Sequence, residues 1–252
     1  MPRRLSRFRV RGAALAAVAL AAASALLVAC SGTTTKPDQA KAIASSAGLG
    51  SDVAAFLALA AGGPDASYVV TYKTTATDGS SQQITVTQRP PDRRIDVYLA
   101  NGTVESTIRT GNTSYQCTKD HTWTCAALNA AQQSDPSNGV LDAKSVTAAV
   151  QQLTQRAADY DFKLDDRTLV GVKARCLVTT LKPGRSDPSL GASATLCLAP
   201  SGAQLLVEVP RGRLEASEYR TDIAPDAFTL PAAAAPAPDS ASSGSDASAS
   251  TG

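Results

Sequence analysis

Apolar residues follow two spacings along this chain, one typical of helices and one typical of strands. The helical spacing occurs over residues 40–61, and Gly48-Leu49-Gly50 interrupts it. Ser51 or Asp52 can cap the second half, which Gly62-Gly63-Pro64 ends. A second helix is predicted over about 142–159, with an apolar stripe formed by Val146, Ala149, Val150, Leu153 and Ala157.

Alternating apolar and polar residues predict two groups of antiparallel strands, one on each side of the second helix. Turn signals separate the strands, and Asn101-Gly102 is a strong signal for a hairpin. Ile95, Val97 and Leu99 share one face, which indicates a sheet with one buried side. The predicted strands are 67–75, 82–89, 93–99, 103–110 and 114–117, then 162–164, 168–172, 175–181, 194–199, 204–209 and 213–220.

The first thirty residues have the pattern of an export signal. Five arginines precede an apolar run over 12–28, and the run ends in Leu27-Val28-Ala29-Cys30. These four residues resemble the bacterial lipobox, in which the cysteine receives a diacylglyceryl group and becomes the first residue after cleavage. An uncleaved single-span anchor is the alternative, because the run is just long enough to cross a bilayer. Both interpretations predict a folded part outside the cytoplasm, and we expect Cys30 to anchor it on the outer face of the cell membrane.

Composition divides the chain into four parts. We expect a signal peptide over 1–29, then a tether and the start of the helical segment over 30–50. One domain should occupy 51–231. Residues 232–252 are rich in Ala, Pro and Ser and have little to bury, which predicts disorder.

Net charge argues against nucleic acid as a partner. The chain has a net charge of +2, but residues 1–30 carry five of its 24 basic groups and none of its 22 acidic groups. The remainder has a net charge of −3. A weakly acidic chain without a clustered basic face lacks the electrostatic footprint of nucleic-acid binding.

Four further cysteines indicate two disulfides, as is usual in an exported chain. Three pairings can be drawn, and we favour Cys117 with Cys125 and Cys176 with Cys197, because each pair is close in sequence and on neighbouring predicted strands. His121 lies midway between Cys117 and Cys125, so zinc is an alternative. Structural zinc sites usually have tighter spacing, which favours the disulfide.

Candidate catalytic groups are few. His121 is the chain's single histidine and is predicted to be solvated at a hairpin tip, and no nucleophile elbow surrounds a serine. The pairs Asp159/Asp161 and Asp165/Asp166 are interpreted as solvated residues of a polar connection. Trp123 is expected to pack over the first disulfide rather than to serve as a contact at a cavity mouth. Phosphate-loop, dinucleotide and calcium-loop patterns are incomplete, including 48–50 and 135–139. We expect no enzyme activity, cofactor or metal.

Seven short segments, most of them at turns or cysteines, form a further pattern: Tyr68–Tyr72, Gln88–Asp92, Ile108–Gly111, Ser114–Cys117, Gly171–Cys176, Leu196–Gly202 and Phe228–Pro231. These segments resemble exported lipoproteins with a LolA/LppX-like fold, the type also found in LolB and RseB. The likeness covers about residues 50–231, and this chain departs from the lipid carriers of that group in having two predicted disulfides.

The resemblance implies an α+β fold in which a curved antiparallel sheet, a half-barrel, carries helices on its concave face. The space between them would hold acyl chains or a hydrophobic segment of a partner. We therefore expect a lipoprotein that binds a lipid or other apolar ligand for transfer within the envelope. The alternative is a sensor or assembly protein that binds an envelope protein. A packed core would show the same alternation of apolar and polar residues as an open cavity.

Overall fold

The computed structural model describes residues 36–76, 79–129, 150–186, 191–210 and 212–237. Two helices come first, α1 (Pro37–Ser46) and α2 (Ser51–Gly62), and most of the remaining described chain is strand. The strands, in chain order, are β1 (Tyr68–Ala76), β2 (Ser81–Arg89), β3 (Asp92–Tyr98), β4 (Val104–Thr110), β5 (Thr113–Lys119), β6 (Trp123–Ala127), β7 (Tyr160–Leu169), β8 (Val172–Leu181), β9 (Ser193–Leu198), β10 (Gln204–Val209), β11 (Gly212–Arg220) and β12 (Ala234–Ala235).

The two helices form a hairpin at the predicted break. Pro37 occupies the first turn of α1, and the Lys36 backbone N–H donates to Gln39 Oε1 at 3.1 Å. Gly48 adopts a φ of 75° between the helices, a conformation that suits glycine. The N-cap of α2 is Gly50, with no side-chain cap, so the predicted capping by Ser51 or Asp52 is wrong.

The described strands form one curved, unclosed sheet. Its order is β12-β6-β5-β4-β3-β2-β1-β11-β10-β9-β8-β7, and neighbours are antiparallel except β12 and β6, which are parallel. The first group of strands is a meander from β1 to β6, and the second is a meander from β7 to β11. Pairing of β1 with β11 joins the two groups, so the earliest and a late strand meet in the middle of the sheet.

Three clusters of buried residues hold the domain together. The central cluster joins β1–β3 to β8–β11 and contains Tyr72, Val86 and Leu206. The second lies between the helical hairpin and β8 and β9, where Phe56 and Leu57 pack with Leu177 and Leu198 among others. Full burial of a large apolar side chain contributes on the order of 1.5–3 kcal/mol, so this contact fixes the helices on the sheet.

The third cluster lies on the opposite half of the sheet, where a C-terminal strap, residues 223–237, packs on the strands. Phe228 is buried beneath the guanidinium of Arg89, which lies 4.9 Å from its ring centroid. Further along, Leu230, Ala232 and Ala234 pack on Ile108 and the Cys117–Cys125 pair. The strap ends in β12, so ordered structure continues past the predicted domain end at residue 231.

The structure confirms the predicted fold class, an α+β fold built on a curved antiparallel sheet, and corrects several local predictions. Residues 150–155 are helical, within the predicted second helix, but residues 157–159 form a 3₁₀ turn, and the next strand begins at Tyr160 rather than at residue 162. Residues 162–164 and 168–169 belong to one strand, β7, and the turn at Val170-Gly171 divides the predicted strand 168–172. Residues 142–149, the first part of the predicted second helix, lie outside the described residues.

Candidate functional site

A cleft of about 450 Å³ opens beside the helical hairpin. One wall is the turn between α1 and α2 together with Val53. The other wall is the 3₁₀ turn Ala157–Asp159 and the start of β7. Its lining consists of Ala47, Gly48, Leu49, Gly50, Val53, Ala157, Ala158, Tyr160, Asp161 and Phe162.

The sequence shapes this cleft through the interruption of its first helix. After Gly48 turns the chain, the Leu49 N–H donates to the carbonyl of Ala44 at 3.1 Å, which holds the leucine near the end of α1. The opposite wall is positioned by β7, whose Phe162 packs with the helical cluster. Tyr160 and Phe162 stand next to each other with ring centroids 6.5 Å apart.

The lining combines apolar side chains with nearly as much polar surface, much of it at the rim. Leu49, Val53 and Phe162 are partly or fully buried, whereas Gly48 and Asp161 are exposed. Asp161 is the single carboxylate among the described lining residues. Sites of this size that combine apolar walls with a few polar groups are typical of pockets for small apolar ligands.

Positive charge lies at the end of the cleft formed by the 3₁₀ turn. Lys182 Nζ donates to the carbonyl of Ala158 at 2.9 Å. Asp159 binds the guanidinium of Arg156 at 3.2 Å and that of Arg185 at 3.3 Å. Two arginines thus share one carboxylate, and the ammonium of Lys182 is close by. With Asp159 and the exposed lining residue Asp161 included, this end of the cleft keeps a single net positive charge.

The space between the hairpin and the sheet is filled where the structure describes it. Phe56 is fully buried and Leu57 nearly so, and both pack against Leu177 and Leu198. The described cleft therefore lies beside the helix–sheet contact, not between the helices and the sheet as the resemblance implied.

Gln88 ties the end of α2 to the sheet. Its side-chain nitrogen is buried and donates to the carbonyls of Gly63 at 2.9 Å, Pro64 at 3.0 Å and Ala66 at 3.0 Å. A second close contact lies nearby, because a Cβ on Gly202 would meet the carbonyl oxygen of Leu59 at 2.5 Å. These contacts fix the helix that forms one wall of the cleft.

Two buried tyrosines lie on β1 close to Arg93. The hydroxyl of Tyr72 donates to the carbonyl of Gln204 at 2.8 Å. Burial raises the pKa of Tyr72 well above its ordinary value, and the nearby phenol of Tyr68 adds to the rise while Arg93 opposes it. Burial likewise raises the pKa of Tyr68, again opposed by Arg93. Both hydroxyls are therefore neutral across the physiological pH range.

A polar network lies on strands β3 and β4. The Nε atom of Arg94 donates to both carboxylate oxygens of Asp96 at 2.9 Å, and the hydroxyl of buried Ser106 donates to the same carboxylate. Arg94 also reaches the carbonyl of Ala227 at 3.4 Å. This network connects the sheet to the strap and does not face the cleft residues.

Both favoured disulfides form. Cys117 bonds to Cys125 and Cys176 bonds to Cys197, in each case between directly opposed residues of neighbouring strands. As predicted, Trp123 packs on the first disulfide. His121 is exposed at the tip between β5 and β6, and Lys119 Nζ lies 6.0 Å from the ring centroid of Trp123.

The prediction of a solvated polar connection is wrong for three of the four carboxylates. Asp161, Asp165 and Asp166 belong to β7, and Asp159 to the 3₁₀ turn before it. Only Asp161 lines the cleft. Polar residues that follow a predicted helix suggest a connection, but here Asp161 to Asp166 lie within one continuous strand.

The residues of the predicted lipobox, Leu27, Val28, Ala29 and Cys30, lie outside the described residues, as does 135–139. In the described ranges, no group of three or more His, Cys, Asp or Glu side chains is placed to hold a metal ion. None of the helices in those ranges is long and apolar enough to cross a membrane.

Sequence reasoning missed most of the cleft. Gly48-Leu49-Gly50 was recognised only as a helix interruption, and Tyr160 was placed outside any strand. A usable signal was present, since an apolar leucine stands between two glycines at a turn, where a polar residue is more usual.

No family model matches the chain, and no curated protein does either. Among solved structures, the crystal structure of MucB is similar over 73% of this chain and 64% of that chain, with 18% identity and a TM-score of 0.46. This chain thus spans slightly less than two thirds of the MucB chain.

Two further solved structures are similar over comparable parts of this chain. A crystal structure of an uncharacterized conserved protein from Thermus thermophilus is similar over 73% of this chain and 99% of that chain, with 11% identity and a TM-score of 0.42. A structure of PNGF-II is similar over 68% of this chain and 30% of that chain, with 14% identity and a TM-score of 0.34. These likenesses concern the course of the backbone alone.

Proposed function

We propose that this protein is an extracytoplasmic lipoprotein that binds an apolar ligand in the cleft beside the helical hairpin. The observation that carries the proposal is the cleft itself, a space of about 450 Å³ that is lined in part by Leu49, Val53 and Phe162 and held by the packed helices and β7. Its volume falls in the range of about 300–1,000 Å³ that is common for small-ligand pockets.

The charges at one end of the cleft support an amphiphile with an acidic head group. Lys182 lies against Ala158 in the lining, and Arg156 and Arg185 flank the same turn. A fatty acid has the required chemistry, with an apolar chain for Leu49 and Phe162 and a carboxylate for Lys182. Apolar contacts supply about 25 cal/mol per Å² buried, so the chain would provide most of the affinity.

The N-terminal residues support the membrane part of the proposal. We propose that Cys30, after Leu27-Val28-Ala29, receives a diacylglyceryl group and holds the domain on the outer face of the cell membrane. Metabolic labelling with palmitate should mark the protein, and Cys30→Ser should abolish both the label and the cleavage. A Cys30→Ser chain that is processed and located like the wild type would contradict this part.

A substitution that fills the cleft tests ligand binding. Ala158 is exposed and lines the cleft, so Ala158→Trp places a large ring in it without disturbing the core. Ala55 is exposed on α2 outside the lining, which makes Ala55→Trp the matched control. We expect Ala158→Trp to weaken binding of a fluorescent fatty acid about tenfold, a loss of about 1.4 kcal/mol. Equal affinities for the two variants would contradict binding in this cleft.

A hydrophobic segment of an envelope protein is the second candidate. The observation that favours it is the exposed rim, where Gly48, Gly50 and Asp161 leave the cleft open to a side chain from outside. A stoichiometric partner that is recovered from membranes by the wild type and by Ala55→Trp, but not by Ala158→Trp, would support this candidate. Failure of all three chains to bind a fatty acid would then distinguish it from the first.

A further inference from the structure

The two edges of the sheet differ in how their strands are paired. At one edge, the short strand β12 pairs with β6. At the other edge, β7 pairs with β8 over all ten of its residues and with no other strand in the described part of the chain. A long strand with a free edge presents unpaired N–H and C=O groups and can pair with another strand.

The hairpin turn determines which backbone groups of β7 point outward. Val170-Gly171 is a two-residue turn, so the flanking residues Leu169 and Val172 form a hydrogen-bonded pair. Hydrogen-bonded pairs alternate along an antiparallel ladder. Odd-numbered residues of β7 therefore bond to β8, and the backbone groups of Phe162, Leu164 and Asp166 point away from the sheet.

The charged residues on one face of β7 are arranged so that they can face opposite charges on a second, antiparallel copy of the same strand. Asp161, Lys163, Asp165 and Arg167 alternate along the strand and share a face, and all four are partly or fully exposed. If the strand is paired antiparallel with a copy of itself about Leu164, Asp161 faces Arg167 of the copy and Lys163 faces Asp165 of the copy. All four charged positions then face an opposite charge.

We propose that β7 is a dimer interface at which a second copy of this chain extends the sheet. The charged residues occupy the non-hydrogen-bonded positions of the new ladder, where side chains approach most closely. On the other face, Leu164 meets Leu164 of the copy.

The charge pattern also specifies the register. Slipping the copy by two residues in one direction places Lys163 against Lys163 and Asp161 against Asp165. The opposite slip places Asp165 against Asp165 and Lys163 against Arg167. Like charges directly opposite each other destabilise a strand pair, so both slipped registers are disfavoured.

An ion pair within β7 does not compete strongly with this arrangement. Arg167 Nε lies 3.2 Å from Asp165 Oδ2, with side-chain exposures of 37% and 44%. Ion pairs this exposed contribute little to stability. Both groups can therefore turn to the opposite charges of a second copy.

Charge exchange tests the interface. In Lys163→Asp, aspartates face each other at two symmetric sites of the dimer, and in Asp165→Lys, lysines do. We expect each single variant to raise the dimer dissociation constant about tenfold or more. The double variant Lys163→Asp/Asp165→Lys restores opposite charges and should return the constant to near the wild-type value. The measurement is sedimentation equilibrium of the full chain in a density-matched detergent over a range of concentrations.

Lys173→Asp is the matched control, because Lys173 is exposed on β8, next to β7 but away from its free edge. Far-UV circular dichroism establishes that each variant is folded. A dimer that is weakened by both single changes, restored by the double change and unaffected by Lys173→Asp supports the proposal. A wild-type chain that stays monomeric at every concentration overturns it, as does a dimer that none of the β7 changes affects.

Discussion

The disulfide between Cys176 and Cys197 should stabilise the domain more than the one between Cys117 and Cys125. The perturbation is the pair of double variants Cys176→Ala/Cys197→Ala and Cys117→Ala/Cys125→Ala. Each bond joins adjacent antiparallel strands, so the two variants remove the same kind of link from different places.

The magnitude follows from the length of chain that each bond closes. The sequence separations are 21 residues for Cys176–Cys197 and 8 for Cys117–Cys125. A cross-link lowers the chain entropy of the unfolded state, and these lengths correspond to about 3.3 and about 2.5 kcal/mol at 25 °C. Packing acts in the same direction, because Cys176 and Cys197 are fully buried whereas Cys125 is 7% exposed. We therefore expect the longer link to be worth about 1 kcal/mol more.

Urea unfolding without reductant measures both losses. Far-UV circular dichroism reports on the sheet, and the fluorescence of Trp123 reports on the strands next to the shorter link. The m-value should rise in both variants, because an unfolded chain without the cross-link exposes more surface. A loss from Cys117→Ala/Cys125→Ala that equals or exceeds the loss from the other variant would refute the reasoning.

Three further predictions concern buried contacts, of which the first two position the helix at the cleft wall. Gly202→Ala should destabilise the domain by at least about 2 kcal/mol more than Gly102→Ala. Both glycines have φ above 80°, but of the two, Gly202 alone has backbone atoms within 4 Å of the added Cβ. Equal losses of stability in urea unfolding would contradict this. Gln88→Leu should cost about 1–3 kcal/mol, since it removes the side-chain donor to the carbonyls of Pro64 and Ala66 and leaves the Gly63 carbonyl to the Ala66 N–H. A neutral effect on the unfolding midpoint would count against it. The free energy of unfolding should fall above about pH 10, because Tyr72 loses its proton there in the unfolded chain, whereas burial raises its pKa in the folded chain. Tyr72→Phe should lower the free energy of unfolding by about 1 kcal/mol at pH 7 and make its decline at alkaline pH less steep. An equally steep decline in the variant would contradict this role of Tyr72.

Local signals in the sequence predicted most of the elements. Asn101-Gly102 specifies the turn between β3 and β4, and the interruption at Gly48-Leu49-Gly50 specifies the helical hairpin. In these places, the residues that form the turn can be recognised in the sequence itself, so the turn is predictable without knowledge of distant contacts. The cysteine pairing was predictable for a similar reason, since the two cysteines of each pair are close in sequence and lie on neighbouring strands of a meander.

Contacts that depend on the backbone or on distant partners could not be predicted. Ala234-Ala235 pairs with β6 through the main chain, and an alanine-rich segment gives no side-chain pattern that reveals it. The strand β7 was cut short because Asp165-Asp166 breaks its alternation, although the hairpin with β8 carries it on to Leu169. Pairing of β1 with β11 brings together residues about 150 apart, for which the sequence has no local signal.

The position of the cleft was unpredictable for the same reason. Its walls come from the turn after α1 and from the start of β7, more than a hundred residues later. The resemblance implied a space between helices and sheet, but Phe56 and Leu57 fill that contact. The cleft therefore lies beside this contact and not within it.

Photo-crosslinking can show whether an apolar chain lies in the cleft. The full chain is irradiated with a fatty acid that carries a diazirine on its tail, and the modified peptides are mapped by mass spectrometry. We expect the label to be concentrated on residues 47–53 and 157–162, and to decrease when unmodified fatty acid competes. Label spread over other surfaces, or label that a competitor does not reduce, would contradict it.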